Sequence, residues 1–309
     1  MEKIRGGIHI AVQGYEVDRI TEVPIKCKAE KVYLICMPED KDSERGKSFK
    51  NIITKRFEEN NIEYEIENAY LFDLEEIAKK IKEIIKKERE NYPDAKFYIN
   101  LSSGSSIGCV AGTICSMILN KKDSKIIPYY VSPKKILENL TDEEIKLLKK
   151  EYGEYLPRTF GVKDVKLIYP FEIKLPREEL LIILKYLKRA KRGLTIKELS
   201  FLTRDEILEE LSDETIKKLL RKDKISQHTI KKYYNKIKEL KEIIDDDVKK
   251  IIEWRRHSRE SFSEHSDLVW INKNVVEKLL EWELIEVEKI GRNKYVKISD
   301  KGKMLLNYI

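Results

Sequence analysis

Two short stretches of this chain bring together residue types that hold anions with little charge of their own. One is Asn100-Leu101-Ser102-Ser103-Gly104-Ser105-Ser106, placed directly before the uncharged run Ile107–Leu119. A helix beginning there would present free backbone N–H groups and the positive end of its dipole to whatever the four hydroxyls and the glycine enclose, which suits a phosphate. The same residues also suit a plain structural task, with serine capping the helix and glycine making the turn. The second stretch is Gln13-Gly14-Tyr15-Glu16-Val17-Asp18-Arg19, which follows the apolar run Ile8–Val12. Catalytic groups are sparse. Ser102 and Ser103 have no evident histidine partner, since His9 falls inside an apolar run and His228, His257 and His265 lie in the other half. No catalytic residue is therefore assigned. Neither G-x-G-x-x-G nor G-x-x-x-x-G-K-[ST] occurs, so no dinucleotide or P-loop chemistry, and no cofactor, is expected. Cys27, Cys36, Cys109 and Cys115 lack C-x-x-C spacing and read as buried free thiols, with no metal site. Asp18, Glu39 and Asp40 sit where they would line a cleft, but acidic residues at strand ends are usually solvated or capping.

The C-terminal half offers a different chemistry. Leu284–Lys289 and Lys294–Ser299 alternate apolar and polar residues around Ile290-Gly291-Arg292-Asn293, which predicts a β-hairpin. The order Leu284, Ile285, Gly291, Arg292, Tyr295, Gly302, Lys303 resembles the ending of winged helix-turn-helix domains in prokaryotic transcription regulators. Arg292 and Lys294 would then meet DNA from the wing. Two segments compete for the groove. Asn272–Trp282 precedes the wing and offers Lys273 and Asn274. The segment from Ser226 spaces Ile230, Tyr233, Ile237, Leu240 and Ile244 by threes and fours and carries Gln227, His228, Lys231 and Lys232 near its start, suited to base edges and phosphates. That same spacing also fits a coiled-coil seam. Asp245–Asp267 reads as an insertion without a role.

These residues need elements to position them. Short β-branched runs at residues 8–12, 31–36, 62–66, 96–100 and 126–131 predict five strands, and Leu74, Ile77, Ile81 and Ile84 mark an amphipathic helix between the third and fourth. Strands alternating with helices imply right-handed crossovers and a parallel sheet. The expected fold class is α/β: a Rossmann-like domain over 1–140, a linker or dimerisation region over 141–176, and a mainly helical winged helix-turn-helix domain over 177–309. In such a sheet ligands sit beyond the carboxyl ends of the strands where the order reverses, here between the first and fourth. Both polar stretches lie there. The helix after the fourth strand, having no charge, is expected to expose little of its surface. Gly153, Pro157 and Gly161 read as pivots between the halves.

With 309 residues, 38% charged and 41% apolar, the chain is long enough for two cored domains and too charged for a membrane protein. Residues 1–175 carry 31 basic against 30 acidic side chains, and residues 176–309 carry 31 against 25. A polyanion partner therefore belongs to the C-terminal half. A polar turn interrupts the uncharged run Phe97–Asn120, and no apolar leader core is present near the start, so no membrane association and a cytoplasmic location are expected.

A serine-glycine loop after the fourth strand of a Rossmann-like domain, with a winged helix-turn-helix behind it, resembles the CARF (CRISPR-associated Rossmann fold) transcription regulators of archaea. The resemblance implies a homodimer binding cyclic oligoadenylate or a related nucleotide, through Gln13, Gly14, Tyr15 and Arg19 on one loop and Asn100 and Ser102 to Ser106 on the other. It further implies that the C-terminal domain binds double-stranded DNA in response to that ligand. Ser106 departs from the family, in which lysine or arginine is common at that place. The alternative function is a ring nuclease cleaving the cyclic oligoadenylate. The steric argument at Gly104 predicts that Gly104→Val abolishes binding with little change in melting temperature.

Overall fold

The computed structural model describes residues 4–120, 125–169, 173–190, 193–202, 214, 217, 227–228, 230–232, 235, 245–257, 264–291 and 293–309, without the side chains of 245–248 and 264–266. The chain forms two compact units, Met1–Lys174 with Asn307–Ile309, and Leu175–Leu306.

The first unit runs β1 (Ile8–Val12), α1 (Val17–Cys27), β2 (Lys31–Cys36), α2 (Glu44–Glu59), β3 (Tyr64–Asn68), α3 (Leu74–Asn91), β4 (Phe97–Asn100), α4 (Ser106–Leu119), β5 (Ile126–Ile136), α5 (Asp142–Tyr152) and β6 (Thr159–Leu167). The strand order is β3-β2-β1-β4-β5-β6. The first five strands are parallel and β6 is antiparallel to β5. Every residue of β1 and β4 is buried, as expected for central strands covered on both faces. α3 begins at Asp73, whose carboxylate accepts from the backbone N–H of Glu75 and Glu76, and it buries Ile77, Ala78, Ile81, Ile84 and Ile85. The order reverses between β1 and β4, as expected.

Residues 141–176, expected as a linker or dimerisation region, supply α5 and the sixth strand. A partly buried ion pair locks them to the sheet: Arg56 donates to the Asp18 carboxylate, which also accepts from the backbone N–H of Gly161 at 2.5 Å and from the Tyr152 hydroxyl at 3.3 Å. Gly161 is thus a docked position inside β6, and Asp18 serves the packing of β6 and α5. α4 is also more exposed than its composition suggests. It packs Gly108, Ala111, Gly112, Cys115 and Ile118 inward but leaves Ser106 and Val110 in solvent.

The second unit contains α6 (Glu178–Arg189), β7 (Leu194–Thr195), α7 (Ile196–Phe201), α8 (Asp245–His257) and α9 (Glu264–Ile271). α9 passes through one π-helical stretch, Asn272–Val276, into α10 (Glu277–Glu281). β8 (Ile285–Ile290), β9 (Asn293–Ile298) and α11 (Asp300–Tyr308) follow. The sheet order β7-β9-β8 is that of a winged helix, with the β8–β9 hairpin as the wing and Gly291 at its turn (φ +61°). The end motif has a steric basis. A Cβ at Gly302 would lie 2.3 Å from the Leu284 carbonyl oxygen, and Ser299, which donates its backbone N–H to that oxygen, accepts from the Gly302 N–H through its hydroxyl.

Of Asp245–Asp267, read as an insertion, the described residues Ile251, Ile252, Trp254, Arg255 and Asp267 are buried. Ile251 and Ile252 are buried with Ile183, Leu187 and Leu279 in one cluster, and Trp254 meets Trp270 edge-on at 4.7 Å. Arg255 donates to the Asp267 carboxylate inside that cluster. The acidic and basic residues between the apolar ones hid this face from a count of hydrophobic periodicity. Among the described residues no helix is long and apolar enough to cross a membrane.

Candidate functional site

At the switch point the two polar stretches meet backbone to backbone. A Cβ at Gly14 would lie 2.4 Å from the Gly104 nitrogen and 2.6 Å from a Glu16 carboxylate oxygen, so nothing larger than glycine fits while the loops stay in place. Gly104 has φ +82°, and a Cβ there would lie 2.8 Å from Val12 Cγ1. Gly104→Val must therefore cost stability as well as any binding, contrary to the expectation of a nearly unchanged melting temperature.

Most of the loop's polar side-chain atoms are already committed within the protein. The Ser102 hydroxyl accepts from the Val131 N–H at 2.5 Å, and Ser103 donates to the Val12 carbonyl at 2.9 Å. Ser105 donates to the Leu71 carbonyl at 2.9 Å and caps α4 by accepting from the Gly108 N–H at 3.2 Å. Asn100 donates to the Arg19 carbonyl and accepts from the Ser102 N–H, both at 2.8 Å. Arg19, buried, donates its Nε–H to the Val131 carbonyl at 2.9 Å and lies 5.0 Å from the Tyr130 ring centre. Ser106 is exposed at the start of α4. The hydroxyls thus build a rigid frame, and what the frame offers a ligand is backbone: the glycine pair and the first turn of α4.

On the other side of Gly14, Gln13 is buried and donates its amide to the Gly46 carbonyl at 2.7 Å. Tyr15 packs on Phe49 at 5.1 Å, with the Arg45 guanidinium 4.4 Å above its ring. Asp42, Arg45 and Gly46, in the loop and first turn leading into α2, were not singled out from sequence. Their only local signal is the Ser43 cap, whose hydroxyl accepts from the Gly46 N–H at 3.0 Å.

Burial pushes the Glu16 carboxyl above its ordinary pKa, partly opposed by Arg19 and Arg158. His9 and Cys27 approach each other at 3.4 Å, which looks like a catalytic pair. Burial pulls His9 down to about 3 and pushes Cys27 up to about 11, so both stay neutral and the thiol is inert.

In the second unit, Lys232, Lys273 and Lys294 line one concavity of about 870 Å³, together with Lys197, Asn272, Asn293 and two carboxylates, Glu198 and Glu277. Residues from α7, the α9–α10 helix and β9 meet there. Asn274 turns away and donates to the Trp270 carbonyl at 3.1 Å. Gln227, His228 and Lys231 are exposed. Arg292, and Tyr233, Ile237, Leu240 and Ile244 of the proposed seam, lie outside the described residues. The wing is of mixed charge: Lys289 stands opposite Lys294, while Lys297 pairs with Glu288.

This architecture defines a class, a mostly parallel Rossmann-like domain followed by a winged helix domain, which is the architecture the CARF resemblance implied. Residues 7–136 match the family profile described as HFX_2341_N-like, N-terminal, and residues 223–309 match the DUF6293 C-terminal winged helix domain. The chain is 62% identical over 327 aligned positions to "Uncharacterized protein MJ1513" of Methanocaldococcus jannaschii, covering 100% of this chain and 98% of that one. It belongs to the same family as that protein. Among solved structures it is similar to Enterococcus italicus Csm6 bound to cyclic hexa-2'-fluoro-hexa-dAMP (14% identity, 79% of this chain and 54% of that one, TM-score 0.37). Can2 of Sulfobacillus thermosulfidooxidans in complex with cyclic tetra-adenylate is a further one (15% identity, 40% and 31%, TM-score 0.29). The chain spans about half the length of that Csm6, and scores this low carry no weight on function.

Proposed function

We propose that this protein is a nucleotide-responsive DNA-binding regulator, a homodimer that takes a cyclic oligoadenylate or related nucleotide at the β1/β4 switch point and DNA at its winged helix domain. The observation that carries the reading is the contact between Gly14 and Gly104 at the start of α4. Two loops held without side chains leave backbone donors able to approach a phosphate closely, as helix starts do at switch points. Gln13, Gly14, Tyr15, Arg19, Asn100, Ser102, Ser103, Gly104, Ser105 and Ser106 are the proposed ligand loops, with Gly14, Gly104 and Ser106 touching ligand and the buried serines, Asn100 and Arg19 holding the shape. The lysine-lined concavity supports the DNA assignment, because exposed cations grouped beside the helix before a wing fit a phosphate backbone. Lys232, Lys273 and Lys294 are the proposed contacts there, and Gln227, His228, Lys231, Asn274 and Arg292 remain further proposed DNA contacts.

A ligand alters DNA affinity only if it binds the two DNA-binding states unequally, and the coupling is reciprocal. Fluorescence anisotropy on an operator fragment, with and without saturating cyclic tetra-adenylate, should show affinities differing by about five-fold or more, the lower end of usual coupling. Equal affinities would leave two independent binding sites and refute regulation. Loss of the cyclic tetra-adenylate during the titration would identify a ring nuclease instead.

A further inference from the structure

Glu16 stands at the junction of the two ligand loops, and no structural task accounts for it there. It is the N-cap of α1, but its side chain does not cap the helix, and glutamate is not among the residues that favour that position. The side chain is half-buried. Arg19 of α1 and Arg158, in the segment between α5 and β6, are the charged groups that face its carboxylate, and the N–H groups of Tyr15 and of Glu16 itself face it from the backbone. The carboxylate points to the place where the loops touch: one of its oxygens lies 2.6 Å, and the Gly104 nitrogen 2.4 Å, from the one point where a Gly14 Cβ would stand. The Gly104 N–H has no acceptor among the described residues. A free donor and a carboxylate therefore share one corner, and an anion drawn to the first would be repelled by the second. Burial already makes the ionised form of this carboxyl costly, and a second negative charge within about 4–6 Å adds to that cost.

We propose that Glu16 is a proton-coupled gate of the switch point: a ligand phosphate reaches the Gly104 N–H only when the Glu16 carboxyl is neutral, and the carboxyl O–H then donates to that phosphate. This role depends on the reading of the switch point as a nucleotide site. Where the free protein holds Glu16 ionised, each ligand bound brings one proton from solvent to the carboxylate. Linkage sets the size of the effect, at most about tenfold in affinity per pH unit, over the range in which Glu16 is ionised in the free protein and neutral in the complex. Below the raised pKa of the free protein the dependence vanishes, because the carboxyl is neutral before the ligand arrives.

The test is calorimetric titration of the full chain with cyclic tetra-adenylate at about pH 6 and about pH 8, each in two buffers of different ionisation enthalpy. The phosphodiesters of that ligand do not titrate in this range. The native protein should bind about tenfold or more weakly at the higher pH and should take up protons as it binds there. Glu16→Gln is neutral at every pH and keeps a donor, so it should bind equally at both, and more tightly than the native protein at the higher pH. Glu16→Ala, which also lacks the charge, takes its place should Glu16→Gln fail to fold. Native affinity that is the same at both, without proton uptake, overturns the gate while leaving the switch-point reading intact. A pH dependence that persists in Glu16→Gln also overturns the gate, since another group would be its source. Binding by neither protein at either pH overturns the gate and the switch-point reading together.

Discussion

The switch-point end of the first unit and the concavity of the second are both candidate sites, and they are built by opposite means. Around Gly14 and Gly104 the polar side chains are spent inside the protein, so that backbone is what remains for a ligand. In the concavity, Lys232, Lys273 and Lys294 project from elements held by a separate apolar core. The difference is that of a site which is part of the fold and a site laid on it. Substitutions in the first should lower stability and binding together, whereas those in the second should change binding alone.

The sharpest way to break that comparison is Asp18→Ala. It leaves the Gly161 N–H without its acceptor and Arg56 with only Glu151 as a carboxylate partner, at a cost of about 3 kcal/mol, the upper end for an unsatisfied buried donor. Urea denaturation followed by circular dichroism should show that loss, and a midpoint unchanged from the native protein would mean β6 is held by other contacts. Next in size is Gly14→Ala. Its Cβ would collide with the Gly104 nitrogen, so the loops must part, at about 1–3 kcal/mol of stability by analogy with overpacked cores, and nucleotide affinity should fall with it. Retention of both would show that the close approach is dispensable.

For the second unit, Lys273→Ala and Lys294→Ala should each make the dependence of log DNA affinity on log salt shallower by about 0.9, as one lost phosphate contact requires. Melting temperature should not move, since both side chains are exposed. A slope equal to the native one would remove that lysine from the interface. The smallest effect concerns Glu16. Its pKa is raised in the folded state, so its burial costs stability when ionised, and its favourable contribution is complete only below the ordinary carboxylate pKa of about 4.3. Glu16→Gln should therefore melt higher than the native protein at neutral pH, with the gap closing as the pH falls through the raised pKa toward that of the unfolded chain. A gap independent of pH would mean that ionisation of Glu16 is not its source.

The alternation of β-branched runs with helical spacing made the five parallel strands and the switch point legible, because burial on both faces leaves a continuous apolar run. The hairpin was legible too, since its turn needs a residue tolerant of positive φ and Gly291 supplies it. The site was legible as loops and not as atoms. Ser102, Ser103, Asn100 and Arg19 were chosen for groups that could meet a ligand, and a sequence does not show that Val131, Val12 and Arg19 carbonyls or N–H groups stand ready to take them. Arg45 and Asp42 were invisible because nothing in their own segment distinguishes them from an ordinary charged helix start.

What the sequence determined by itself, then, is local: the period of each element, the serine cap and glycine turn before α4, and the glycine turn of the wing. Tertiary structure alone decided that Asp18 binds Arg56 and Gly161, that β6 completes the sheet, that α8 enters the winged helix core, and that Gln13 donates to the Gly46 carbonyl. Each of these joins residues distant in the chain or places one side chain against another element, and such partners are set by how packed elements meet, which no short-range pattern encodes.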